Sequence, residues 1–373
     1  MARCKRSQSL RRGFLAACCA ALLLFSLRPR LLRYTATFWG VFDSVITLTA
    51  SVPTREEFDW YLDLAVDSFT GFHSIYDRFS ESETIVNLYA VNRAAGGEPL
   101  AVGEPLFSLL LYAREGERRT LGTVSPTFGA VTELWRRAIV SGNRLIPDEK
   151  TLREAAGHAA PELLVLEEDS GRVRLADPKS LLDLGAVAKG YATERTARKL
   201  AAAGLSRFAI SSGGNLCCGH PPDGKPVWEI GVQSPDRAIL SQAPSLASLR
   251  IPSGAVSTSG DYQRFFWYEQ DGKRHRAHHI IDPATLHPGE RCRSVTVVCS
   301  SAADADLFST ALFLLDQKTG EMLAERENLA VLWVLPDGGM QANDAMLRLW
   351  VLPDGGMQAN DAMLRLMESG PPA

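Results

Sequence analysis

The chain has 373 residues, 46% apolar and 22% charged, enough for one large domain or two ordinary ones with ample core. Its formal net charge of −3 removes any electrostatic reason to expect nucleic acid as a partner. An anionic ligand would need a local positive feature.

The first twelve residues carry five basic side chains, and GFLAACCAALLLFSL (13–27) follows without a charge. A basic stretch before an apolar one is the pattern of an export signal. With Arg28, Arg30 and Arg33 next and no small-x-small cleavage site, residues 1–33 read as an uncleaved membrane anchor, ahead of a cleaved signal or a lipid anchor at Cys18. Each alternative puts the body of the protein outside the cytoplasm, on the extracytoplasmic face. Outside that segment the cysteines are Cys217, Cys218, Cys292 and Cys299. Their spacing suits no zinc site, and each reads as a small buried residue sooner than half of a disulfide.

YTATFWGVFDSVITLTA (34–50) predicts a β-branched strand that opens the folded body. Residues 55–80 follow a helical period, with Phe58, Tyr61, Leu62, Ala65, Phe69 and Phe72 on one face. VSPTFGAVTELWRRAI (124–139) predicts a helix capped by Ser125 or Thr127. ELLVLEEDSGRVRLADP (162–178) alternates about Asp169-Ser170-Gly171 as a hairpin does. A helix from Ala186 to Ala203 stops at Gly204, and SRFAISSGGNL (206–216) is a strand ending in a Gly-Gly-Asn turn. A second hairpin, 264–283, turns at Asp271-Gly272. SVTVVCS (294–300) is a buried strand, and an apolar helix runs over 302–315. Strands and helices mix without a βαβ rhythm, which predicts α+β over a doubly wound sheet.

LWVLPDGGMQANDAMLR occurs at 332–348 and again, letter for letter, at 349–365. Two units are too few for a solenoid. One copy reads as native structure and the other as surplus, so the folded domain is assigned to 34–348 and the duplicated copy with its tail to 349–373.

Four segments carry residues suited to chemistry. LDLGAVAKGYATE (182–194) has its lysine before the glycine and Tyr191 where a P-loop needs a hydroxyl, so it is not a P-loop. Asp183 and Lys189 still flank a helix start, where free N–H groups favour an anion. Alone, the segment reads sooner as a capped amphipathic helix with a solvated lysine. In AHHIIDPATLHPG (277–289), His278 and His279 point to opposite faces of a strand, so at most one faces a given site. Asp306 and Thr310 share a helix face and form a hard-oxygen pair that suits Mg²⁺; Asp304 is a rival on another face. SGAVSTSGDYQRFF (253–266) offers Ser257, Thr258 and Ser259 as donors, or is a plain loop.

Eight pieces in order resemble the ApbE-type FAD:protein FMN transferase family. They are FDSVITLTA (42–50), FHSIYDRFSESETIVNLYAVN (72–92), SPTFGAVTELW (125–135), LDLGAVAKGYA (182–192), ISSGGNL (210–216), VSTSGDYQRFF (256–266), HIIDPATLHP (279–288) and ADLFSTALF (305–313). The resemblance implies a single large ApbE/T-fold-like α+β domain with mixed sheets and flanking helices, preceded by a signal or anchor, with FAD as substrate and Mg²⁺ as cofactor. It implies that Asp183 and Lys189 contact FAD, that the Ala186 carbonyl, Asp306 and Thr310 bind the metal, and that His279 is the catalytic base. Tyr76, Ser125, Pro126, Thr127 and Thr258 fall in segments that line the flavin or adenine pocket. Phe42-Asp43-Ser44 departs from the Met-Gly-Thr of many members.

The implied reaction transfers FMN from FAD to a threonine of an acceptor protein, a membrane redox-complex subunit or extracytoplasmic flavoprotein, and releases AMP. Water in place of the threonine would make the same site an FAD pyrophosphatase. A non-catalytic flavin-binding lipoprotein is the alternative of another class, and the presence of both base and metal ligands argues against it.

Overall fold

The computed structural model describes residues 30–141, 144–235, 245–270 and 272–351. The apolar segment 13–27, and with it the expected anchor, lies outside those residues. Among the described residues no helix is long and apolar enough to cross a membrane.

An eight-stranded sheet organises the domain, in the order Leu32–Val41, Ser44–Val52, Phe208–Ser212, Asn215–Cys218, Gly254–Gly260, Ser294–Cys299, Ala330–Val334 and Met340–Ala342. The fold is α+β as expected. The sheets, however, are antiparallel at every described strand pair, and parallel contact is confined to a bridge between Phe128 and Leu181. Tight turns join many of these strands, and such turns connect only antiparallel neighbours.

The expected single strand over 34–50 is two strands. Leu32–Val41 and Ser44–Val52 fold back on each other about Phe42 and Asp43, whose φ angles are 53° and 47°. Two left-handed residues make the tight turn that matches strand twist. Neither is a glycine or asparagine, which is why the turn is hidden in a β-branched run.

One sheet face is covered by three helices, Arg55–Tyr76, Ala188–Ala202 and Ala302–Leu314. Phe58, Tyr61, Ala65 and Phe69 of the first are buried, whereas Leu62 and Phe72 are half-buried. Ala302–Leu314 is buried on almost every side, between the sheet and Ala188–Ala202, as an all-round apolar helix must be. The other face holds Val256, Val298, Ala330 and Leu332 against a three-stranded sheet that includes Trp228–Val232 and Ala247–Ile251. With both faces covered, Ser294–Cys299 has no exposed position, hence its β-branched, uncharged sequence with Ser294 and Thr296 buried among valines.

Both expected hairpins are present, Leu164–Glu167 with Arg172–Leu175 and Phe265–Gln270 with Lys273–His278. The helix after Ser125-Pro-Thr begins later than expected, at Gly129, with Phe128 at its cap position. Ser125 instead accepts from the Thr127 N–H at 3.3 Å, and the Thr127 hydroxyl donates to the Ala159 carbonyl at 2.7 Å. All four described cysteines are free, and burial pushes each thiol up to about 12.

The two copies of the repeat take different places. The first supplies the last three residues of the buried strand Ala330–Val334, then Met340–Ala342 and the short helix Asp344–Leu347. The second is not wholly surplus. Trp350–Val351 pairs with the Ala247–Ile251 edge, and the Leu349 carbonyl accepts the Arg250 N–H at 2.8 Å. An open sheet edge in reach offers unpaired backbone groups to any chain that follows. Residues 352–373 lie outside the described ones.

Candidate active site

The site is assembled where the Ala188–Ala202 helix begins, against the middle of Ala302–Leu314. Gly190 has no Cβ, so the two helices approach there until an added methyl would strike the Ala302 carbonyl and Asp306 Cβ. The Gly190 N–H then donates to Asp306 Oδ2 at 2.8 Å. Its ordinary helical acceptor would be the carbonyl of Ala186, which receives no hydrogen bond among the described residues.

Asp306 is 4% exposed. Burial raises its pKa, while Lys189, the Gly190 N–H and Asn215 act to lower it. Around it runs a hydroxyl network. Ser257 donates to Asn215, Ser259 lies 2.8 Å from Ser309 and 3.1 Å from Thr310, and Thr310 donates to the Asp306 carbonyl at 3.3 Å. A buried carboxylate, a hydroxyl and an orphaned backbone carbonyl form a hard-oxygen set without imidazole or thiolate. Such a set fits Mg²⁺ better than zinc. No cluster of three or more His, Cys, Asp or Glu suited to a metal occurs among the described residues, so the carbonyl and hydroxyl are needed. Asp304 is excluded as a rival, since Arg119 and the Tyr112 hydroxyl take its carboxylate at 2.8 and 2.7 Å.

Asp183 holds the entrance to the same helix. Its Oδ2 accepts the Thr132 hydroxyl at 2.6 Å and lies 3.6 Å from Arg78 Nη1; its Oδ1 accepts the Gly185 N–H at 2.9 Å. The Asp183 N–H donates to the Pro126 carbonyl at 2.9 Å, tying the Ser125-Pro-Thr segment to this wall. Arg78 Nη1 is buried with no hydrogen-bond partner among the described residues.

The two histidines divide as their alternation requires. His278 is 1% exposed, with Nε2 at 2.8 Å from the Gly289 carbonyl and Nδ1 accepting the Ile280 N–H at 3.2 Å. His279 is exposed, yet closely walled by protein. Desolvation by those walls, helped by His278, Lys189 and Arg264, holds its pKa below the usual imidazole range, against Asp183. It is a neutral imidazole at pH 7, fit to accept a proton.

The Lys189 charge acts on both His279 and Asp306, Asp183 acts on His279 and is tied to Pro126, and Thr310 bonds to the Asp306 carbonyl, so these six share one neighbourhood. Other expected residues have committed side chains. The Tyr76 hydroxyl donates to the Pro105 carbonyl at 3.3 Å inside the core, and Ser125 pairs with the wholly buried Thr127 at 2.9 Å. Thr258 bonds to Thr296 at 2.8 Å, on the sheet face opposite Ser257 and Ser259. Sequence reasoning missed Arg78, Thr132, Asn215 and Ser309. The last three are neutral side chains with no signal apart from the partners that folding gives them. All four sit in matching segments, and Arg78, the one charged member, was the one legible omission.

Residues 42–333 match the ApbE family. The chain belongs to that family. A relative from Klebsiella pneumoniae (strain 342), named FAD:protein FMN transferase, is 34% identical over 247 residues, covering 65% of this chain and 73% of the relative. Another of that name, from Treponema pallidum (strain Nichols), is 31% identical over 271 residues, covering 69% and 72%. The crystal structure of the ApbE protein from Thermotoga maritima superposes with a TM-score of 0.75 at 25% identity, covering 85% of this chain and 99% of its own. The flavin transferase ApbE from Vibrio cholerae shares the fold at 22% identity, with a TM-score of 0.71 over 85% and 100% of the two chains.

Proposed function

We infer that this chain is an FAD:protein FMN transferase, acting on a threonine of an acceptor protein. The observation that carries this reading is the neutral, exposed His279, whose imidazole feels the same Lys189 charge that acts on the buried Asp306 carboxylate. His279 takes the proton from the acceptor hydroxyl as the oxygen attacks the phosphorus on the FMN side of FAD. A new P–O bond forms to the threonine, the P–O bond to AMP breaks, and its electron pair leaves on the AMP phosphate. Lys189 offsets negative charge on the pyrophosphate. Asp183, fixed by Thr132 and the Gly185 N–H, orients the substrate at the helix entrance. Asp306, Thr310 and the Ala186 carbonyl would hold Mg²⁺, which supplies charge neutralisation on phosphate oxygens. The basic and apolar residues 1–33 support a membrane-anchored, extracytoplasmic enzyme whose acceptor is a redox protein of that compartment.

The test is to incubate the full chain with FAD, Mg²⁺ and a candidate acceptor, then weigh the acceptor. A gain of one FMN on a threonine, absent with EDTA, supports transfer. Release of FMN and AMP with the acceptor unlabelled would instead assign an FAD pyrophosphatase.

A further inference from the structure

Arg264 stands directly before the strand Phe265–Gln270, in which Phe265 pairs with His278. Continuing that antiparallel register by one residue sets Arg264 opposite His279, on the same face. Its charge acts on the imidazole together with that of Lys189. Lys189 has no carboxylate in ion-pair contact among the described residues. Arg264 has one, Asp43, at 3.5 Å between Nη2 and Oδ2, and the two side chains remain 57% and 80% exposed.

Asp43 is brought there by the left-handed turn of the first hairpin. The turn is pinned from behind: Ser44 donates to the Phe42 carbonyl at 2.9 Å, and the Phe42 N–H donates to His73 Nδ1 at 3.4 Å. Gly213, with φ of 54°, lies between Ser44 and the Lys189 stem, where a side chain would strike the serine. The carboxylate therefore reaches across the mouth from a fixed base. A long, exposed ion pair is weak and exchangeable, whereas a guanidinium binds phosphate oxygens through charge-assisted bonds.

We propose that Arg264 is a phosphate-positioning residue beside His279, and that Asp43 occupies its guanidinium until a phosphate takes its place. This rests on the flavin-transfer reading, because a base that serves the attacking hydroxyl must lie within one hydroxyl of the phosphorus. Arg264, opposite that base, reaches the same phosphoryl oxygens. Asp43 is then a competitor of the substrate, and removing it helps binding.

The experiment titrates FAD into the full chain with Mg²⁺ and reads flavin fluorescence, for wild type, Arg264→Gln, Asp43→Asn and the double variant, each checked by its melting curve. Arg264→Gln should weaken FAD by roughly tenfold or more, the loss of a charge-assisted bond. Asp43→Asn should tighten it, and the double variant should match Arg264→Gln alone. Equal weakening by both single variants would mark a merely structural pair and overturn the proposal. So would wild-type affinity in Asp43→Asn or in Arg264→Gln. A wild type that binds no FAD at all would bring down the transfer reading itself.

Discussion

The Gly190 N–H donates to Asp306 Oδ2, not to the Ala186 carbonyl four residues before it. This exchange of one helical hydrogen bond does two things. It gives a buried carboxylate a donor that favours its charged form, and it leaves the Ala186 carbonyl without its helical donor. A single displaced N–H thus bears on two oxygens of the proposed cation-binding set.

Gly190→Ala should break both at once. The added methyl meets Ala302 and Asp306, so the helices must part, at a cost of about 1–3 kcal/mol for overpacking. Thermal melting is expected to show that loss. Activity should fall far more than stability and recover in part at raised Mg²⁺ concentration. Full activity with unaltered metal dependence would mean that the Gly190 contact has no part in the site.

His279→Ala should retain FAD binding and lose transfer by roughly 10²–10⁴, the usual weight of a general base. The wild-type pH profile has a definite sign. Transfer needs the neutral imidazole, and the His279 pKa lies below its ordinary value, so the base form persists as pH falls. The acid limb of kcat/KM is expected below about pH 6.5, the unperturbed histidine value. An acid limb at or above that value would contradict the assignment.

The neighbouring histidine makes a stability prediction instead. His278 is buried neutral, and desolvation lowers its pKa to about 4 from 6.5. Below pH 6.5 the unfolded chain binds a proton that the folded chain refuses, so stability is lost as pH falls through that window. The difference is on the order of 3 kcal/mol by pH 4. His278→Gln should be less stable than wild type at pH 7, and the gap should narrow on acidification. A gap constant from pH 7 to 4 would show that His278 does not titrate differently in the two states.

Much of this site was legible because its key residues are few, charged or conformationally special. Periodicity and residue chemistry single out Asp183, Lys189, Asp306, Thr310 and the alternation of His278 with His279, but only the family resemblance joined them into one site. The burial of one central strand was legible in the valine-rich, uncharged run of 294–300. What was not legible depends on pairing at long range. Nothing in Asn215 or Ser309 announces a hydrogen-bond network, since neutral polar residues acquire a role only from their neighbours. The Phe42-Asp43 turn was hidden because a bulky Phe42 seldom adopts the left-handed backbone and no glycine follows Asp43 to mark a turn.

The duplicated segment tests how far context decides the use of identical sequence. Deleting 332–348 or 349–365 yields the same polypeptide, so the surviving copy has one identity and two vacant places. The first copy's place is the richer one: Leu332, Trp333 and Val334 are buried, and Asn343 binds the Leu329 carbonyl and the Val331 and Met346 N–H groups. The second copy's described contacts are a two-residue pairing and the Leu349–Arg250 bond. The remaining copy should therefore fill the buried slot, with Leu366-Met367 following it where Leu349-Trp350 stood. At net values near 1 kcal/mol per backbone hydrogen bond, the deletion should cost about 1–3 kcal/mol and leave FAD binding and transfer unchanged. The less protected Ala247–Ile251 edge should increase self-association, visible by size-exclusion chromatography. Loss of cooperative melting would show instead that both copies are needed to build the sheet.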